Sequence, residues 1–187
     1  QLLDVLPIPF TTTLHAMGIV DELHPQALSM CGMHGSYAAN HTLQLADCII
    51  GIGTRFDDRT VGKINAYAPH TQKAFEEGTG GIFACNIDPS DIKTIEPHVN
   101  LRCDAGECIQ YIYDHVTERG INYGVHWERW HKTTQVWKNN HPFAITPTKS
   151  PNAIKTQSVL KCLNRHFHED IVITTGVGNH QMMAAQF

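Results

Sequence analysis

The sequence predicts an α/β protein with a doubly wound, mainly parallel, six-stranded-type Rossmann-like central domain, followed by the first βα unit of a second α/β domain. Three observations carry that expectation. Apolar runs of strand length, at residues 48–53 and 82–87, alternate with segments of helical pattern at βα spacing. Each run gives way to a glycine or Asp-Pro turn and then to polar residues, as strands do where they leave a parallel sheet. A proline-rich break, "HPFAITPTKSPN", then precedes a new apolar run and a glycine turn, "GVGNHQMMAAQF".

The elements follow in order. "QLLDVL" reads as the last turns of a helix, ended by Pro7 and Pro9. Residues 8–12 make a short β-branched strand, and a polar loop around "DELHPQ" leads to "SMCGMHGS". Ser36 can cap a helix to about Leu45, with Ala39, Leu43 and Ala46 on one face. After the strand at 48–53 and the charged turn "TRFDDR", "KINAYA" is a short helix or loop, and "KAFEEGTGG" a solvated excursion. The strand at 82–87 closes in "DPSD", where Ser90 can cap a short helix. A strand at 99–103 leads to the helix 105–116, started by Asp104 and Glu107 as in a capping box. "HWERWHKTTQVWKNN" is an amphipathic helix with Trp127, Trp130 and Trp137 as packing anchors. Beyond the prolines come a helix at 156–167, a strand at 171–175 and a final helix. The expected domains are 1–120, a linker at 121–153, and 154–187.

Composition is that of a globular chain, 42% hydrophobic and 17% charged. The net charge of -4 leaves no basic footprint for nucleic acid or an anionic membrane, and no apolar run reaches the length of a membrane span. The abrupt first and last helices are expected to be cut, so the chain reads as a fragment. Six cysteines form no C-x-x-C pair, which favours a reducing compartment, with Cys48 and Cys85 as small hydrophobes in strands. Thirteen histidines fall in no metal-binding pattern, and "HFH" at 166–168 reads as a helix end facing water, so no metal ligands are expected in this chain.

Chemistry in an open α/β sheet sits beyond the carboxyl ends of its strands. Thr13–Leu14, "TRFDDR", "DPSD" and "GVGNHQ" fall at such ends, and "MCGMHGS" is a glycine-rich loop entering a helix, where backbone N–H groups suit phosphate. "GIGTRF" lacks the third glycine of a dinucleotide fingerprint, and there is no P-loop. Charge density alone makes "RFDDR" a salt-bridged surface turn. Its place at a strand end favours a site, in which one arginine grips a phosphate or carboxylate while an aspartate steadies the other. His34 is either a loop histidine bonded to backbone or a neighbour of a phosphate or ring. Asn179, His180 and Gln181 are either an ordinary helix start or donors to a diphosphate.

Taken together, "TTTLHAMG", "MCGMHGSYAAN", "GTRFDDRTVGK", "IDPSDI" and "TTGVGNHQMMAAQ" resemble, in order and spacing, the catalytic large subunits of acetohydroxyacid (acetolactate) synthases, a thiamine diphosphate-dependent family. "KAFEEGTGGI" resembles an insertion of the fungal members and implies a mitochondrial enzyme. The resemblance implies decarboxylating condensation of two 2-ketoacids, pyruvate with pyruvate or 2-ketobutyrate, in valine, leucine and isoleucine synthesis. It implies thiamine diphosphate as the group that carries the chemistry, FAD held largely as a structural element, and Mg2+ bound outside this chain. It also implies a homodimer or larger assembly with shared active sites and a regulatory small subunit.

Carried over by motif, Thr13, Leu14, Gly32, Met33, His34, Gly53, Thr54, Arg55, Asp57, Asn86, Ile87, Asp104, Gln181 and Met182 match FAD-contacting positions. Gly32, Met33 and Gly53 would let backbone approach the flavin. Arg59 matches the arginine that grips the second ketoacid's carboxylate, and Met33 the methionine shaping that pocket. Val177, Gly178, Asn179 and His180 match the start of the thiamine diphosphate site. The activating glutamate belongs upstream, so the isolated chain is expected to be inactive. Cys31, Asn86, Asn179 and Met183 depart from the usual leucine, acidic residue, glutamine and tryptophan. Two other readings fit the residues: another FAD-retaining thiamine diphosphate carboligase, and a noncatalytic flavin-binding module.

Overall fold

A computed structural model describes residues 1–120, 124–150, 152–167 and 171–187, with the side chains of 124–126 left aside. Pro151, His168 and the expected domain boundary at 121 lie outside the described residues. The expected α/β fold with parallel pairing holds: among the described residues five strands form two parallel sheets, of two and three strands. One pairs β1 (Phe10–Thr12) with β2 (Ala27–Met30), and the other has the order β3 (Cys48–Ile52), β4 (Gly81–Asn86), β5 (Val99–Arg102). Helix α1 (Leu2–Val5) precedes β1, and α2 (Tyr37–Leu45) joins the two sheets.

The α2 start behaves as its sequence predicts: the Ser36 hydroxyl accepts the Ala39 N–H at 2.9 Å. The same hydroxyl donates its O–H to the Leu28 carbonyl at 2.5 Å, which ties the helix start to β2. β2 falls inside the stretch expected to be loop. Four residues are too few to show a period, and Ser29 interrupts the strand with φ 63°.

From β3 the chain passes through α3 (Asp58–Val61) and α4 (Pro69–Glu76) to β4. "KAFEEGTGG" is solvated as expected over residues 73–79 apart from Ala74, but its first residues belong to α4, a helix the sequence reading did not assign. Thr71 and Ala74, three apart, are buried against the sheet, and the Thr71 hydroxyl donates to the Ala46 carbonyl at 2.7 Å. The segment is therefore the crossover of a right-length βαβ unit. His98 secures the same corner. Its Nδ1 accepts the Ile82 N–H at 2.8 Å, so the proton sits on Nε2, which donates to Gln72 Oε1 at 3.0 Å, and the ring stacks on Phe75.

Two apolar clusters form the core. Ile49, Phe56, Val61, Tyr67, Ala68, Ile82 and Ala84 pack under β3 and β4. Leu28, Ala38 and Ala39 pack against Trp137 of α6 (Gly124–Asn140). Trp130 meets Trp137 edge-on at 5.7 Å, as expected of packing anchors. Polar side chains of α6 reach the first sheet and the segments that lead into it: Lys138 Nζ donates to the Ala27 carbonyl at 2.9 Å, Gln135 bonds the Pro25 carbonyl, and His131 the Pro7 carbonyl. β3 alternates between exposed and buried residues, so Cys48, expected as a small hydrophobe in a strand, is in the strand but exposed.

Asp104 caps α5 (Ala105–Glu118), its Oδ1 accepting from Gly106 N at 2.7 Å and Glu107 N at 3.2 Å. At "DPSD" the cap is Asp88 and not Ser90, because the Asp88 carboxylate accepts both the Ser90 N–H (3.0 Å) and its hydroxyl (2.6 Å). Those two donations hold the Asp88 carboxyl below its usual range. α7 (Thr156–His166) and α8 (Asn179–Gln186) form as expected, but 171–175 has no strand pairing. A strand exists only through a ladder, and among the described residues none offers this run an edge.

Candidate functional site at the strand ends

Four loops meet beyond the carboxyl ends of the strands, and backbone bonds fix their arrangement. Gly53 N–H donates to the Cys85 carbonyl at 2.8 Å, extending the β3–β4 ladder one residue past β3. Asn86 then holds the loops that follow both strands. Its Nδ2 donates to the Thr54 carbonyl at 3.3 Å and its Oδ1 accepts the Asp88 N–H at 3.0 Å. The side chain is buried, so what Asn86 contributes directly is the joining of the two strand ends.

The turn after Gly53 is built around Phe56. Its backbone is left-handed, with φ 47°, and its ring is only 3% exposed. A Cβ on Gly51 would stand 2.4 Å from that ring, so the glycine inside β3 makes room for the aromatic. Burying Phe56 turns Arg55, Asp57, Asp58 and Arg59 outward. Asp57 caps α3 by accepting Thr60 N–H at 2.9 Å, and its other oxygen lies 4.0 Å from Arg55. Asp58 lies 3.6 Å from Arg59 Nε. All four side chains are well exposed, so these ion pairs orient the guanidiniums more than they stabilise the fold. A cleft of about 350 Å³ lies between this turn and the next, lined by Arg55, Asp57, Asp58, Asp91, Lys93 and Thr94.

The "GMHG" loop docks on the same turn. Met33 N–H donates to the Arg59 carbonyl at 2.8 Å, and Arg59 Nη1 lies 3.6 Å from Met33 Sδ. Gly32, at φ 91°, has its Cβ direction filled by the Arg59 carbonyl at 2.4 Å. The close approach that Gly32 permits is therefore made by the Arg59 backbone itself. Asn40 of α2, which sequence reasoning passed over, holds Gly32 from both sides: Oδ1 accepts its N–H at 2.8 Å and Nδ2 donates to its carbonyl at 2.9 Å. The signal available was an Asn eight residues after a glycine of a helix-entry loop, which is too common to read alone.

The remaining candidates fall around this centre. Thr13 follows β1 and its carbonyl accepts the Ala16 N–H at 2.9 Å, opening a 3-10 turn over Leu14–Ala16. The loop at Cys31 joins that end, Cys31 N–H donating to the Thr12 carbonyl at 3.3 Å. Ile87 is exposed past β4, and Asp104 stands past β5, its following residue Ala105 coming 3.9 Å from the Cβ direction of Gly53. Gln186 of α8 donates to the His34 carbonyl at 2.8 Å, which brings the last helix to the "GMHG" loop. Gln181 and Met182 are half-buried on that helix. Val177, Asn179 and His180 are exposed at its opposite end, roughly 10 Å from Gln186 along the axis. The His180 ring folds back over Gly178, a Cβ there being 3.1 Å from it.

Residues 1–112 match the family described as "Thiamine pyrophosphate enzyme, central domain". The chain therefore belongs to the thiamine pyrophosphate enzymes and carries their central domain. Among curated relatives it is 37% identical to the mitochondrial acetolactate synthase catalytic subunit of Saccharomyces cerevisiae, over the whole chain and 27% of that protein. It is 38% identical to the mitochondrial acetolactate synthase of Schizosaccharomyces pombe, over 97% of the chain and 27% of that protein. The acetolactate synthase isozyme 2 large subunit of Escherichia coli is 32% identical over the whole chain and 30% of its own length. The chain thus spans little more than a quarter of the length of these relatives.

Proposed function

We propose that this chain is the central part of an acetolactate synthase catalytic subunit, a transferase that condenses two 2-ketoacids with loss of carbon dioxide in branched-chain amino-acid synthesis. The observation that carries the reading is the interlock of Met33 with Arg59: a glycine-enabled loop bonded to an exposed guanidinium whose second neighbour is Asp58. A guanidinium so steadied, with most of its surface free, suits bidentate capture of a ketoacid carboxylate, and the Met33 thioether supplies an apolar wall beside it.

Thiamine diphosphate would supply the electron sink for decarboxylation. The chain's share in holding it is the start of α8, where Gly178 provides no side-chain cap and leaves the first N–H groups of the helix open to an anionic group. FAD fits the strand ends. Gly53 has φ 64° with Ala105 Cβ in ordinary contact distance at 3.9 Å, the Arg55 side chain beside it is exposed enough to meet a phosphate, and Thr13, Leu14, Thr54, Ile87 and Asp104 each follow the end of a strand. Arg55 then serves the flavin side and Arg59 the substrate side, while Asp57 and Asp58 keep them apart. Mg2+ ligands, a homodimer or higher assembly with shared sites, a regulatory small subunit and a mitochondrial location follow from the same reading. The relatives from both yeasts are named mitochondrial, which supports that location.

A protein of the relatives' full length carrying this chain should form 2-acetolactate from pyruvate when given thiamine diphosphate, Mg2+ and FAD. No acetolactate would overturn the reading in favour of another carboligase. Replacing Arg59 by Ala in that protein should cost about 1.5–3 kcal/mol of ketoacid capture, a rise in KM of roughly 10- to 150-fold, with flavin content unchanged. Loss of FAD with ketoacid use intact would instead move Arg59 to the flavin.

A further inference from the structure

Three cysteines, two of them five residues apart and the third 18 residues before, come together behind the strand ends. Cys85 is the penultimate residue of β4, Cys103 follows β5, and Cys108 lies in the first turns of α5. Their Sγ atoms all lie within 4.8 Å of one another, with Cys85 and Cys103 at 2.7 Å. Cys85 is buried, and the other two are half-buried.

We propose that Cys85, Cys103 and Cys108 form a binding site for a single thiophilic cation of the Zn2+ class. Three thiolates at about 2.3 Å from such an ion sit about 3.8 Å apart, a spacing inside the limit the three sulfurs already satisfy. Cys103 has to swing away from Cys85 by about 1 Å to reach it, and it is placed to do so because it stands in the short turn between β5 and α5. A second feature supports the assignment. Cys108 lies in the N-terminal part of a 14-residue helix already capped by Asp104, and the positive end of that helix favours the excess negative charge of three thiolates around a divalent ion. Soft sulfur ligands select Zn2+ or a softer d10 ion over Mg2+, so this site is separate from any Mg2+ that serves a diphosphate. Three protein ligands leave a fourth position for water. Because the ligands come from β4, the turn after β5 and α5, loading would pin these elements together at the end of the sheet where Asn86 and Asp104 stand. This inference does not depend on the proposed activity.

The test uses reduced protein, kept free of air and of thiol reductants and titrated with Co2+ as the probe. One Co2+ per chain is expected, with a sulfur-to-metal charge-transfer band that Zn2+ displaces. Cys103→Ser and Cys108→Ser, which remove direct ligands, should each weaken binding by at least the roughly 10- to 100-fold that loss of an outer-shell partner costs, whereas Cys48→Ser and Cys162→Ser, at exposed cysteines outside the cluster, should not. In the unsubstituted protein, Zn2+ should shield Cys85, Cys103 and Cys108 from alkylation, read by mass spectrometry, while Cys48 and Cys162 stay reactive. Absence of the charge-transfer band in folded, reduced protein overturns the proposal. So does a protein that takes up no Co2+ yet, on treatment with hydrogen peroxide, joins Cys85 to Cys103. There the two thiols give up two protons and two electrons and the peroxide becomes two waters, which would make the cluster a redox pair.

Discussion

The turn at 53–60 and the run at 171–177 look alike in sequence, each an apolar strand pattern meeting glycine and polar residues, yet the structure treats them in opposite ways. β3 is laddered to β4 over five residues and its turn is sealed by the buried Phe56. The later run has no ladder, and Val172 and Val177 are more than nine-tenths exposed. An apolar pattern is thus a capacity to be buried, and only a partner edge realises it. The largest test of that contrast is Phe56→Ala. It should cost about 3–5 kcal/mol, because the ring fills the space over Gly51 and no neighbour can replace it. Val172→Ala in the same chain should stay within about 0.5 kcal/mol. Equal losses in chemical denaturation would mean that the 171–177 run is buried in solution after all.

A second test separates two kinds of glycine. Gly32 and Gly78 both have positive φ, 91° and 71°, but only Gly32 has backbone in its Cβ direction. Gly78→Ala should lose about 1 kcal/mol to conformational strain alone. Gly32→Ala should lose roughly 1–3 kcal/mol and also push the Arg59 carbonyl away, raising the KM for ketoacid in an active protein. Similar stability costs and an unchanged KM would remove Gly32 from the site.

The sequence made much of the fold legible because several elements are specified locally. Ser36 and Asp104 announce the helices they cap, and the runs at 48–52 and 81–86 carry enough β-branched and small apolar residues to be strands. α4 escaped because its N-cap is Ala68 in a left-handed conformation, and the proline at its first position was the one signal left to read. β2 escaped through its brevity. At the candidate site, position at strand ends was legible and mutual contact was not. Nothing local says that the Gly32 backbone must meet Arg59, or that Asn86 spends its amide on Thr54 and Asp88. The cysteine cluster was legible only in part: Cys103 and Cys108 stand five residues apart, but nothing local says that Cys85, 18 residues before Cys103 and on another strand, joins them.

The smallest expected effects lie at the helix starts, where the two halves differ again. α5 has the Asp104 carboxylate on two N–H groups, whereas α7 begins at Lys155 with no side-chain cap. Asp104→Ala should lose about 1 kcal/mol, and Asp104→Asn should recover most of it, because either oxygen-bearing side chain can take the Gly106 and Glu107 donors. Lys155 already has the extended backbone of a cap residue, φ -80° and ψ 139°. Lys155→Asp should therefore gain about 0.5 kcal/mol, net of the lost bond from Lys155 Nζ to Thr146. Thermal denaturation of the three variants reads both signs. A loss at both positions would mean that the Lys155–Thr146 contact, and not the missing cap, governs how α7 begins.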